Sequence, residues 1–167
     1  QYIDGVSDQY SLPESTKFII NTMPHNYFNI RTLKLIFPHG KFIFVRRELN
    51  DLFIFNLMKN FKYKYSFMRD FNAFSQYYNL VEELISHWQR RADPNFLVVE
   101  YADIVKSPER TVNRIHQFLD VYLSAGSQSA TETEKQDLTD DFIGYWRHYR
   151  DLFPQAAADT APASDPV

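Results

Sequence analysis

The 167-residue chain has no cysteine, which excludes disulfides and thiolate metal sites and accords with a reducing, cytoplasmic compartment. Its four glycines, Gly5, Gly40, Gly126 and Gly144, stand singly, so no glycine-rich loop offers a run of bare backbone N–H groups to an anion. No apolar run approaches the ~20 residues of a membrane span, and no signal-peptide segment opens the chain. It reads as soluble, with no membrane partner. Basic residues are not in excess either. A net charge of −3 and a pI near 5.9 give no global field toward nucleic acid, so any anion site must be local. The five histidines, His25, His39, His87, His116 and His148, show no paired metal-ligand spacing, and no Gly-x-Ser-x-Gly elbow is present. No catalytic residue and no metal site can be assigned on these grounds. Glu83 and His87 read as a local helix pair. The basic and aromatic stretch Lys59 to Phe67 reads as a solvated loop rather than a nucleic-acid site.

What is present is apolar bulk arranged in alternating elements. With 44% hydrophobic and 17% aromatic residues, the chain has the composition of one globular domain. Three short runs rich in β-branched and aromatic residues, Lys17 to Ile20, Lys41 to Val45 and Phe96 to Tyr101, predict strands buried on both faces. Tyr27, Ile30, Leu33 and Phe37 give a helix from Asn26 to Phe37, stopped by Pro38 and Gly40. A second helix, apolar nearly all round, is expected from about Asn50 to Phe61. Phe71, Phe74, Tyr78, Val81, Ile85 and Trp88 form the stripe of a long amphipathic helix lying on a sheet. Ser107 and Pro108 open a further helix with Val112, Ile115 and Leu119 as its buried edge. A last helix is expected over roughly Leu138 to Phe153. Residues 154–167 are small, Pro-rich and acidic, a disordered tail by composition. The alternation predicts an α/β fold, a parallel sheet flanked by helices, within residues 1–153.

Arg46 and Arg47 stand where the second strand ends. Ligands collect beyond the carboxyl ends of parallel strands, and a guanidinium there can grip a phosphate through two hydrogen bonds while Asn50 or Asp51 caps the next helix. Two solvated arginines at a strand end would look the same.

The order of "NTMPHNYFNIRTLKLIFPHGKFIFVRRELND", "YYNLVEELISHW", "VVEYADIVKSPERTV" and "IGYWRHY" decides further. From about Phe18 to Phe153 it resembles the carboxyl-terminal half of the sulfotransferases, in the branch similar to tetratricopeptide-linked and tyrosylprotein-type enzymes. The resemblance implies a P-loop-like fold and transfer of a sulfuryl group from 3′-phosphoadenosine 5′-phosphosulfate to an acceptor hydroxyl or amine. It assigns the donor's 3′-phosphate to Arg47 and packing near the adenine to Tyr101, and it puts further basic phosphate contacts at Lys59 and Lys135. His25 follows the matching segment and stands near the cleft or in a turn. Trp146 and Tyr149 match the family's closing helix as packing residues.

The departures point the other way. The serine expected eight residues after the arginine is Phe55, which has no hydroxyl to donate. The lysine that neutralises the leaving phosphosulfate is Thr22, after Asn21, and a common glutamate is Ala102. The amino-terminal phosphosulfate loop is missing, so the chain is expected to be an incomplete sulfotransferase domain, inactive alone. The alternative is a non-catalytic relic that serves as a binding or interaction module. An uncovered sheet edge is expected to make the chain self-associate.

Overall fold

The computed structural model describes residues 18–59, 65–121 and 143–152. A short 3₁₀ helix, Pro24–Asn29, leads into α1, Ile30–Ile36. Strand β1, Phe42–Arg46, is followed by α2, Leu49–Met58, a 3₁₀ turn at Ser66–Arg69, and the 20-residue α3, Phe71–Arg90. Strand β2, Phe96–Glu100, runs directly into α4, Tyr101–Lys106, and then α5, Pro108–Leu119. A 3₁₀ helix, Tyr145–Leu152, closes the described chain. β1 and β2 pair in parallel, Phe42 opposite Phe96 through Arg46 opposite Glu100. The expected α/β architecture is therefore present as a small parallel sheet with helices beside it. Among the described residues no helix is long and apolar enough to cross a membrane.

The crossover helix α3 holds the sheet. Asp70 caps it, its Oδ1 accepting from the Ala73 amide at 2.7 Å, which satisfies one of the free N–H groups of the first turn. Every residue of its expected stripe is buried or half-buried, as the 3.6-residue period requires of a helix seated on a core. At its carboxyl half Val81 and Ile85 meet Val98 of β2 and the half-buried Tyr27 and Phe44. At its amino half Phe74 joins Phe53 and Ile54 of α2. Phe53 packs edge-on against Phe71, with ring centroids 5.2 Å apart, a favourable aromatic arrangement.

Cations tie the periphery to this frame. Lys34 of α1 pairs with Asp93 before β2 and lies over the rings of Phe42 and Trp88, 5.5 and 5.9 Å from their centroids. Lys41 donates to the Phe118 carbonyl at 2.8 Å and to Asp120 at 2.9 Å. Its ammonium thus sits at the carboxyl end of α5, where free carbonyls and the helix dipole favour a positive charge.

Several expectations are corrected. Phe18, Ile19 and Ile20 form no strand and are exposed; an apolar run alone does not supply the neighbouring strand that would bury it. β1 alternates, with Ile43 and Val45 exposed, because α3 covers one face of the strand only. α2 is not buried all round. Leu57 and Met58 are exposed, whereas the polar Asn50 and Asp51 lie inside with Phe53 and Ile54. Val112 is also exposed, and its neighbour Thr111 takes the buried position. The Thr111 hydroxyl there reaches the carbonyls of Asp103 at 2.9 Å and Ser107 at 3.0 Å, joining α5 to α4. Neither Asn50 nor Asp51 caps α2. The cap position is Glu48, which makes no side-chain capping bond. The closing segment is a 3₁₀ helix where an α-helix was expected. Lys135 and the tail at 154–167 lie outside the described residues.

Candidate functional site

Both arginines stand at the carboxyl end of the sheet, and strand alternation sends them to opposite sides. Arg46 faces α3. Its Nε lies 3.1 Å from Glu82, Nη1 3.1 Å from Glu100 and Nη2 2.9 Å from Gln89. Two hydrogen bonds, to Glu100 and Gln89, and an ion pair with Glu82 thus hold one guanidinium, which makes it a strut across the sheet and its covering helix.

Arg47 is held by rings. Its guanidinium carbon lies 4.7 Å from the centroid of Phe55 and 4.6 Å from that of Tyr101, within the range at which the ring quadrupole attracts a cation. Phe55 comes from the second turn of α2 and Tyr101 from the first position of α4, so the two helices that follow the two strands supply the two rings. Lys59, at the carboxyl cap of α2, sits 5.5 Å over the same Phe55 ring. On the backbone side the Tyr78 hydroxyl donates to the Arg47 carbonyl at 3.0 Å. This fixes the strand end to α3. Burial and the nearby Glu82 charge raise the Tyr78 hydroxyl well above the ordinary phenol range, so it keeps the proton that this bond needs.

The structure thus brings together Arg47, Tyr101 and Lys59, three of the four residues assigned to donor binding. It also places Phe55 among them, in contact with both cations. That contact has a chemical meaning. A guanidinium stacked on a ring keeps its hydrogen bonds in its own plane, the direction from which a phosphate approaches. The cluster therefore gathers two cations around one ring, while Phe55 adds no donor.

Asn21, beside the Thr22 departure, has a structural occupation. Asn21 Oδ1 accepts from the Met23 amide at 3.0 Å and from Asn26 Nδ2 at 3.1 Å, so it organises the entry to the 3₁₀ helix at Pro24–Asn29. His25 lies on that helix, 6.3 Å edge-on from Tyr65 and 6.4 Å stacked with Phe28. Trp146 and Tyr149 pack against the Phe53 cluster as expected. Among the described residues no cluster of His, Asp or Glu has the makings of a metal site.

One residue of consequence was assigned the wrong task by sequence. Asp51 is 4% exposed, and its carboxylate reaches out of α2 to the segment that closes the chain. Oδ2 accepts from the Gly144 amide at 2.7 Å and Oδ1 from the Trp146 amide at 3.3 Å. Gly144 has φ +73°, and a Cβ there would stand 2.1 Å from the Arg147 guanidinium, so glycine is required for the turn. No local pattern signals an acceptor and donors this far apart in the chain.

A small parallel sheet flanked by helices, with an arginine close to two aromatic rings at its carboxyl edge, is an α/β arrangement. The Sulfotransferase family model matches residues 4–125, and the chain belongs to the sulfotransferase family. An uncharacterized protein of Aquifex aeolicus (strain VF5) is 23% identical over 123 residues, covering 72% of this chain and 16% of that relative. The chain therefore spans about a sixth of that relative's length. No solved structure matches it.

Proposed function

We propose that the chain is the donor-binding portion of a sulfotransferase that uses 3′-phosphoadenosine 5′-phosphosulfate, incomplete in this chain. Arg47 holds the 3′-phosphate, Lys59 adds charge at the same place, and Tyr101 packs near the adenine; Lys135 remains a further basic contact in this reading. The acceptor is a hydroxyl or an amine. The observation that carries the proposal is the Arg47 guanidinium beyond the carboxyl end of β1, 4.7 Å from the Phe55 ring centroid and 4.6 Å from that of Tyr101. The second reading, a non-catalytic relic that binds without transferring, is favoured by Phe55 and Thr22. Neither residue can supply the hydrogen bond or the positive charge that the family places there.

Calorimetry with adenosine 3′,5′-bisphosphate tests the site. Weak binding is expected, and Arg47→Ala should abolish it while adenosine 5′-monophosphate binds neither protein. Equal binding to the parent and to Arg47→Ala removes the donor-site reading. Self-association through the uncovered sheet belongs to the same proposal and is supported by the exposed Ile43 and Val45 of β1. Light scattering over a range of concentrations should show mass rising with concentration, and a constant monomer mass rejects it.

A further inference from the structure

Three side chains of α3 meet the end of β1, and they share one stripe of the helix. At about 100° per residue, Glu82 and Gln89 lie within about 40° of Tyr78 round the helix axis. Glu82 and Gln89 take the Arg46 guanidinium, at 3.1 and 2.9 Å. Tyr78 takes the next residue by its backbone, its hydroxyl donating to the Arg47 carbonyl at 3.0 Å. One stripe thus holds two consecutive residues in two ways, the first by its side chain and the second by its main chain.

The Arg47 carbonyl stands at the junction of two elements. The last paired residue of β1 is Arg46, opposite Glu100. α2 begins its ladder with the Glu48 carbonyl, which accepts from the Leu52 amide at 2.9 Å. Arg47 falls between strand and helix, and Glu48 after it is extended, with φ −55° and ψ 138°. On one flank of the Arg47 Cα the chain is fixed by the strand register and the Arg46 strut; on the other it is fixed by the Tyr78 hydroxyl. With both flanks fixed, the direction of the Cα–Cβ bond is fixed too, and with it the starting point of a long side chain. The rings of Phe55 and Tyr101 cannot supply this alone, because cation–ring attraction tolerates any position within about 6 Å of a centroid. A binding group must be held to within about 0.5 Å and 10–20°.

We infer that Tyr78 is the positioning residue of the anion site: its hydroxyl, set on the α3 stripe that also holds Arg46, fixes the Arg47 backbone and so presents the Arg47 guanidinium beside Phe55 and Tyr101. Tyr78 acts through Arg47 and does not itself meet the ligand. The identity of that ligand rests on the donor-site reading above; the placement of the guanidinium does not.

Tyr78→Phe removes one oxygen and keeps the ring packed. Tyr77→Phe is its matched control, since Tyr77 precedes it on α3 and its hydroxyl bonds that of Tyr27 instead. Two signals are read in the parent and both variants: the side-chain N–H resonance of Arg47, which nearby rings displace from its free-chain position, and calorimetric binding of adenosine 3′,5′-bisphosphate. In Tyr78→Phe the Arg47 resonance should move toward the free-chain position before any nucleotide is added, and bisphosphate binding should weaken by about three- to ten-fold, the scale of one hydrogen bond. Tyr77→Phe should change neither. An Arg47 resonance unmoved by Tyr78→Phe overturns the inference, and so do equal changes in Tyr77→Phe, which would mark a general loosening of α3. A resonance that moves in Tyr78→Phe alone, in a parent that binds no bisphosphate, upholds Tyr78 as the positioning residue of Arg47 and removes the donor-site reading.

Discussion

Arg46 and Arg47 are adjacent, identical and at the same strand end, yet the contacts described for each differ in kind. Arg46 pairs with Glu82 and Glu100 and donates to Gln89; Arg47 lies within cation–ring distance of Phe55 and Tyr101. Acceptors occupy the edge of a guanidinium, and a ligand anion needs that same edge. Rings instead attract the cation through their π-faces. The difference teaches that the neighbours of an arginine, more than its place in the chain, set what it contacts. Charge and position are common to both.

Substitutions can break this contrast in order of expected size. Arg46→Leu should cost about 2 kcal/mol of stability, since it strands two carboxylates that are only partly solvated, less than the ~3–5 kcal/mol of a fully buried pair. Denaturant unfolding measures it, and an unchanged midpoint makes the strut ornamental. Phe55→Ser should tighten binding of the bisphosphate by about ten-fold. A charge-assisted bond from the new hydroxyl contributes ~1.5–3 kcal/mol, and the lost ring contact with Arg47 takes back only ~0.5–1 kcal/mol. Unchanged affinity in a folded Phe55→Ser protein would mean that this ring does not border the phosphate. The smallest effect sharpens the contrast most. Arg47→Ala, which should eliminate the bisphosphate site, is expected to cost less stability than Arg46→Leu, its ring contacts contributing ~0.5–1 kcal/mol each at a partly exposed site. A loss as large as that of Arg46→Leu would make Arg47 a second strut.

How much of this was legible depended on the range of the signal. The α3 stripe is periodic, and periodicity states both the element and its buried face. The β1 run Lys41 to Val45 states a strand, but a continuous apolar run carries no period that distinguishes one buried face from two. The structure leaves Ile43 and Val45 uncovered. Val112 and Thr111 show a local competition. Ranking by hydrophobicity buries the valine, whereas two carbonyls at the α4–α5 junction need a donor and draw in the threonine. For the site, spacing alone did not separate Arg47 from Arg46. Resemblance did, and the ring contacts supply the physical difference. Asp51 was beyond reach, because near a helix start a carboxylate resembles a cap and its true donors lie in a remote turn.

The parallel pairing of β1 with β2 also constrains the order in which the molecule is made. Arg46 and Glu100 are register partners, yet 54 positions separate them. Closing so long a coil before anything rewards it is entropically unfavourable. The 20 residues of α3 shorten the search, since a helix of that length spans about 30 Å and forms within about a microsecond. Once Phe74, Val81 and Ile85 have gathered their neighbours, the chain is already carried back toward the start of β2. Strand pairing is then a late event in refolding. Until it occurs, both strands expose unpaired backbone to other chains, so the nascent protein is most vulnerable to aggregation before the two ends of α3 are anchored.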